Sequence, residues 1–146
     1  MSGWLLDTNV ISELARTQPD PRVVAWAEAL PEHATFISVL TLAEFDKGIA
    51  ALPADAPARP RLKAAVVALE SRFRGRVLSV VDATVRRWGR ISGAAKLLRG
   101  QSPPVVDTLL AATAIEHDLC LVTRNMKVRD TGALVFNPWA DDPPPI

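Results

Sequence analysis

Short aliphatic runs alternate along this chain with longer stretches whose apolar residues recur at three- and four-residue spacing. Runs of four or five residues are too short for helices. Strands separated in this way by helices pair in parallel and are covered by helices. Strands are predicted at Gly3 to Leu6, Thr35 to Val39, Val77 to Val80, Leu119 to Thr123 and Ala133 to Phe136. Helices are predicted at Val10 to Ala15, Pro21 to Leu30, Leu40 to Leu52, Arg61 to Phe73, Ala83 to Leu98 and Val105 to His117. The expected fold class is α/β, with a central parallel sheet of four or five strands.

A chain of 146 residues with 49% hydrophobic content buries one core, so a single domain is expected. It should run from residue 1 to 139, followed by a Pro-rich tail, 140 to 146, that cannot extend a helix and is expected to be frayed or extended. The proline-rich stretch Pro53 to Pro60 reads as a connector between helices, because patterning resumes on both sides. The N-terminus carries no basic cluster ahead of an apolar segment, and no apolar run approaches the roughly 20 residues of a membrane span, so a cytoplasmic location is expected. The single cysteine, Cys120, lies in the apolar run Leu119 to Val122 and reads as a buried, inert thiol.

Formal net charge is +1, but its distribution is uneven. Met1 to Ala58 holds three Lys/Arg against eight Asp/Glu, Arg59 to Arg99 eleven against two, and Gly100 onward three against six. A basic middle third beside acidic segments suits a protein that attracts phosphates and also holds a metal ion; a solvated helix face explains the basic residues equally well.

Open parallel sheets bind ligands at the carboxyl ends of their strands, which draws attention to the acids there. Asp7 follows the first strand, Glu44 lies one helical turn past the second, and Asp107 stands near the start of an alanine-rich helix. Carboxylates gathered at one place repel one another unless a cation neutralises them, and Mg²⁺ takes oxygen ligands while keeping several waters. Taken singly, Asp7 and Asp107 could be helix caps, and Glu44 an exposed helix residue. Asp82, after the third strand, reads as a cap for Thr84 and Val85. The four tryptophans read as core or dimer contacts, and His33 and His117 as a turn residue and a helix-end residue.

The stretch from Leu5 to Leu14, LLDTNVISEL, strongly resembles the opening of VapC-type PIN-domain toxins. Ile37 to Glu44 (ISVLTLAE) is similar to that family's second acidic motif and Asp107 to Ala114 (DTLLAATA) to its third; Val122 to Asn125 and Asn137 to Trp139 complete the order. The resemblance implies a PIN-like three-layer α/β/α sandwich with an acidic pocket that binds Mg²⁺ or Mn²⁺ and cuts RNA. It implies that Asp7, Glu44 and Asp107 are catalytic and metal-binding, that Thr8, Ser38 and Thr123 line the pocket as hydroxyls, and that Asn9 braces Asp7. Arg124 becomes a candidate RNA contact. The resemblance further implies a homodimer, blocked by a VapB-like antitoxin in a heterotetramer or larger assembly.

One departure from the family pattern stands out. Val128 occupies a place where the family usually has an Asp. Either Asp130 shifts in as a fourth carboxylate and metal ligand, or the site has three. The sequence therefore also admits a weakened module that binds RNA or antitoxin without efficient cleavage. A phosphotransfer domain fits poorly, since Thr8 and Asn9 follow Asp7 and no phosphate-binding loop is present.

Overall fold

The computed structural model describes residues 1–143, so the last three residues of the predicted tail, 144–146, lie outside the described residues. Strand β1 (Gly3–Leu6) leads to α1 (Thr8–Leu14) and α2 (Pro21–Glu28), then β2 (Thr35–Ser38), α3 (Val39–Ala50) and α4 (Ala58–Arg72). A short β3 (Val77–Leu78) precedes the long helix α5 (Asp82–Arg99) and α6 (Val105–Glu116), followed by β4 (Leu119–Val122) and β5 (Val135–Phe136). All pairings are parallel and the strand order is β3-β2-β1-β4-β5. Because β1 is central, with β2 on one side and β4 on the other, the chain changes winding direction at β1 and leaves a crevice beyond its carboxyl end.

Alternation along the strands divides the apolar side chains between two cores. Trp4, Leu6, Cys120 and Val122 face one side with Val10, Val23, Trp26, Phe73 and Trp139. Leu5, Leu119 and Leu121 face the other with Leu110, Ala111 and Ala114 of α6. This two-sided burial makes three layers and explains why β1 and β4 are apolar at every position. The small residues of α6 let that helix lie close on the sheet, while α5 packs on its outer side. Gly3 opens β1 because any Cβ there would stand 2.4 Å from the Ala34 carbonyl oxygen of the neighbouring segment. Cys120 is 2% exposed, and burial pushes its thiol up to about 11, the state of an inert core residue.

Most predicted elements occur within a few residues of their expected limits; the edge strands are shorter. β3 ends at Leu78 and Val81 is exposed, since β3 has a hydrogen-bonded neighbour only in β2. β5 begins at Val135, after an unpredicted 3-10 turn over Met126–Thr131 that ends at Gly132 with φ of 90°. The start of the tail is folded, contrary to expectation. The N–H groups of Ala140 and Asp141 donate to the Asn137 carbonyl, and the Asp141 carboxylate is held by Arg129 at 2.6 Å and by the Asn137 N–H.

The basic segment is partly structural. Arg76 donates to the carbonyls of Glu32, Thr35 and Arg72, tying the entry of β3 to β2, while Arg86 pairs with Asp82, Arg87 with Glu116 and Arg99 with Asp130. Asp82 is not the helix cap predicted from sequence. Val81 holds the N-cap position, and Asp82 lies in the first turn, where its carboxylate faces Arg86 one turn on. His117 does end α6, as its C-cap residue. No helix among the described residues is long and apolar enough to cross a membrane.

Candidate active site

Three carboxylates meet the crevice beyond β1. Asp7 leaves the end of β1 as the N-cap of α1, so its side chain turns back onto the helix start and accepts from the Thr8 N–H at 2.7 Å. Its other oxygen accepts from the Thr123 hydroxyl at 2.7 Å and from Asn9 Nδ2 at 3.4 Å. The cap reading of Asp7 therefore holds, and the cap fixes its carboxylate just beyond the end of β1. Asp7 is 7% exposed, and burial holds its pKa above the ordinary value; the hydrogen bonds from Thr123 and Thr8 oppose that rise and the negative charge of Asp107 adds to it.

Glu44 projects from the second turn of α3, and Asp107 from the first turn of α6. The Glu44 pKa is also raised, first by burial and then by the charge of Asp7, with Thr8 opposing and Asp107 adding. The acids placed together by sequence are therefore within electrostatic reach of one another. Asp107 is oriented by Asn125, whose Nδ2 donates to Asp107 Oδ2 at 2.8 Å. Asn125 and Thr123 belong to one turn after β4: the Asn125 N–H donates to the Thr123 hydroxyl at 3.0 Å, and Asn125 Oδ1 caps the following 3-10 turn through the Lys127 N–H.

The supporting hydroxyls divide by role. Thr123, fully buried, reaches Asp7, whereas the Thr8 hydroxyl donates to that of Thr41 at 3.3 Å. The Ser38 hydroxyl accepts from the Leu40 N–H as the cap of α3, so its placement serves the helix that presents Glu44. Asn9 braces Asp7 as expected and also bonds Thr123 at 3.2 Å.

Asp130 is not brought to this cluster. Its carboxylate stands 3.2 Å from Arg99 and is largely exposed, while Val128 is buried in the core against α6. With Val128 facing the core, the 3-10 turn sends Asp130 outward, and its shift into the site does not occur. Three residues that matter were not singled out from sequence. Thr41 lies three residues before Glu44, hence on the same helix face, a spacing that could have found it. Asn125 follows Thr123 at the same sheet edge as Asp7. Glu13 is 5% exposed, and nothing local announces a buried glutamate.

The donor set consists of carboxylate, hydroxyl and amide oxygens, the chemistry a hard divalent cation takes. Among the described residues, no three acidic, histidine or cysteine side chains close into a ready-made cage. Asp7 is buried, Asp107 half-buried and Glu44 exposed, an arrangement suited to an ion that retains waters and is completed by a substrate oxygen.

Comparison with known proteins agrees with this geometry. The PIN domain model matches residues 4–134. The chain belongs to the PIN domain family. It is 37% identical to Toxin FitB of Neisseria gonorrhoeae over 94% of this chain and 99% of that protein. It is 34% identical to the VapC ribonuclease Y4jK of Sinorhizobium fredii over 92% of this chain and 96% of that protein. The crystal structure of FitAcB from Neisseria gonorrhoeae superposes with a TM-score of 0.84 at 35% identity, covering 93% of this chain and 98% of that one. In this PIN domain the matched residues run from β1 to the residue before β5 and include Asp7, Glu44 and Asp107.

Proposed function

We propose that this PIN domain is a Mg²⁺-dependent endoribonuclease toxin, with Mn²⁺ able to substitute, that is neutralised by a VapB-like antitoxin. The observation that carries the reading is the group of Asp7, Glu44 and Asp107, mutually repelling and held by neutral hydrogen-bond donors at the carboxyl end of the central strand. Such a site lowers its energy by taking up a cation. Relatives named as a toxin and as a VapC ribonuclease support the toxin and ribonuclease parts, and the solved structure named FitAcB, at 35% identity, supports a partner chain.

In this reading Asp7 and Asp107 hold the ion and Glu44 completes the site from α3. A divalent ion bound there supplies an activated water and stabilises charge on the phosphate. The chain's own contribution is orientation. Thr8 and Thr123 fix both oxygens of Asp7, Asn125 fixes Asp107, and burial keeps water from screening Asp7. A homodimer, a heterotetramer or larger assembly with antitoxin, and a cytoplasmic site of action belong to the same proposal.

The test is cleavage of single-stranded RNA by antitoxin-free protein with Mg²⁺, Mn²⁺ or EDTA, alongside Asp7→Asn. Cleavage that needs both the metal and Asp7 is expected, with a loss of at least about 100-fold in the variant. The absence of a fourth carboxylate is the ground for the second reading, a weakened module, since Asp130 is turned away onto Arg99. RNA binding without cleavage by the folded wild-type protein would establish that alternative.

A further inference from the structure

Arg124 follows Thr123 directly, at the lip of the acidic crevice. Its backbone N–H donates to Asn9 Oδ1 at 3.3 Å, and Asn9 in turn donates to Asp7, so the position of Arg124 is set by the same side chain that braces the central acid. The guanidinium lies over the indole of Trp139, 4.8 Å from the ring centroid. Trp139 is buried and cannot drift. Its Nε1–H donates to Glu13 Oε1 at 3.3 Å and its backbone N–H to Asn137 Oδ1 at 2.9 Å. Glu13 is held in place by the Asp20 N–H at 3.2 Å and by Arg16 at 3.3 Å.

We propose that Trp139, locked by Glu13, is a positioning residue that holds the Arg124 guanidinium at the rim of the crevice to clamp an RNA phosphate next to the one being cut. This rests on the ribonuclease reading for the identity of the strand. The geometry carries it in three ways. Arg124 is exposed while the ring beneath it is buried, so one face of the cation is fixed and its edge donors face solvent. A planar guanidinium laid on an aromatic ring retains its fork of N–H donors for a phosphate, and its confinement lowers the entropy lost on binding. Its backbone is tied to Asp7 twice, through its sequence neighbour Thr123 and through Asn9.

The experiment is fluorescence-anisotropy binding of a labelled single-stranded RNA oligonucleotide in EDTA, where cleavage does not interfere, over a range of salt concentrations. Arg124→Ala should weaken binding about tenfold and make the slope of log affinity against log salt shallower by about 0.7, the loss of one phosphate contact. Trp139→Leu should weaken binding roughly three- to tenfold, but have no further effect in the Arg124→Ala background. Trp139→Phe, which keeps a ring face, should recover most of the affinity and guards against a Leu variant that fails to fold. An unchanged affinity or salt slope in Arg124→Ala overturns the proposal, as does an equal effect of Trp139→Phe and Trp139→Leu in both backgrounds. Wild-type protein that binds RNA through Arg124 but does not cut it with Mg²⁺ refutes the nuclease reading while upholding the clamp.

Discussion

Replacing Thr123 with Val preserves shape and removes one hydroxyl, which makes it the sharpest probe of how the crevice is built. Thr123 is fully buried, so a valine methyl leaves no cavity and the change is almost purely polar. The hydroxyl donates to the Asp7 carboxylate at 2.7 Å and accepts from Asn9 Nδ2 and from the Asn125 N–H at 3.2 and 3.0 Å. A hydrogen bond to a charged group contributes about 1.5–3 kcal/mol, and a buried donor left without an acceptor costs about 1–3 kcal/mol. Asn9 keeps its contact to Asp7, so the principal orphan is the Asn125 N–H. The expected destabilisation is about 2–4 kcal/mol, or roughly 4–16 °C in Tm for a domain of this size.

The pH dependence has a definite sign. Burial holds the Asp7 pKa above its ordinary 3.8, and the Thr123 bond opposes that rise. Without the hydroxyl the folded-state pKa moves further up, so ionised Asp7 opposes folding more strongly. The deficit of Thr123→Val should be largest at neutral pH and shrink as pH falls through the folded-state pKa of Asp7. Urea denaturation in EDTA at several pH values measures both effects. A deficit below about 0.5 kcal/mol, or one that grows toward acid, would refute the hydrogen-bond argument.

Two further outcomes follow from the same electrostatics. Because the pKa values of Asp7 and Glu44 are raised by burial and by negative neighbours, they contribute stability below their ordinary values that is lost as pH rises through the folded values. Glu44→Gln should therefore stabilise the metal-free protein at neutral pH, by on the order of 0.5 kcal/mol given solvent screening, and make its Tm less responsive to Mg²⁺ in differential scanning fluorimetry. Asp130→Asn should leave RNA cleavage unchanged and cost less than about 1 kcal/mol, since it breaks only an exposed pair with Arg99; a loss of cleavage comparable to that of Asp7→Asn would return Asp130 to the site.

Periodicity and chain order fixed a great deal of this molecule in advance. The helical and strand periods set the β-α sequence; Asp7 could be placed at the crevice because a residue just past a parallel strand must emerge there, and Glu44 and Asp107 because they lie in the first two turns of helices that start at that end of the sheet. The family's motif order placed Thr123 and Asn9 near Asp7, and the structure supplies the bonds. The misplaced residues are those whose partners are remote or whose local alternatives are nearly equal in energy. Asp82 could have capped α5 or paired one turn on, and it pairs with Arg86.

What the sequence by itself determined, then, was the alternation of elements and the end of the sheet at which the acids collect, because periodicity, capping and strand-end placement are local. Only the tertiary structure decided that Asn125 orients Asp107, that Val128 turns inward and sends Asp130 to Arg99, and that Glu13 locks Trp139 beneath Arg124. Glu13 and Trp139 are 126 residues apart, and no local propensity encodes such a meeting. It is set by which faces of the helices and sheet are buried together, and by the requirement that each buried polar group find a partner there.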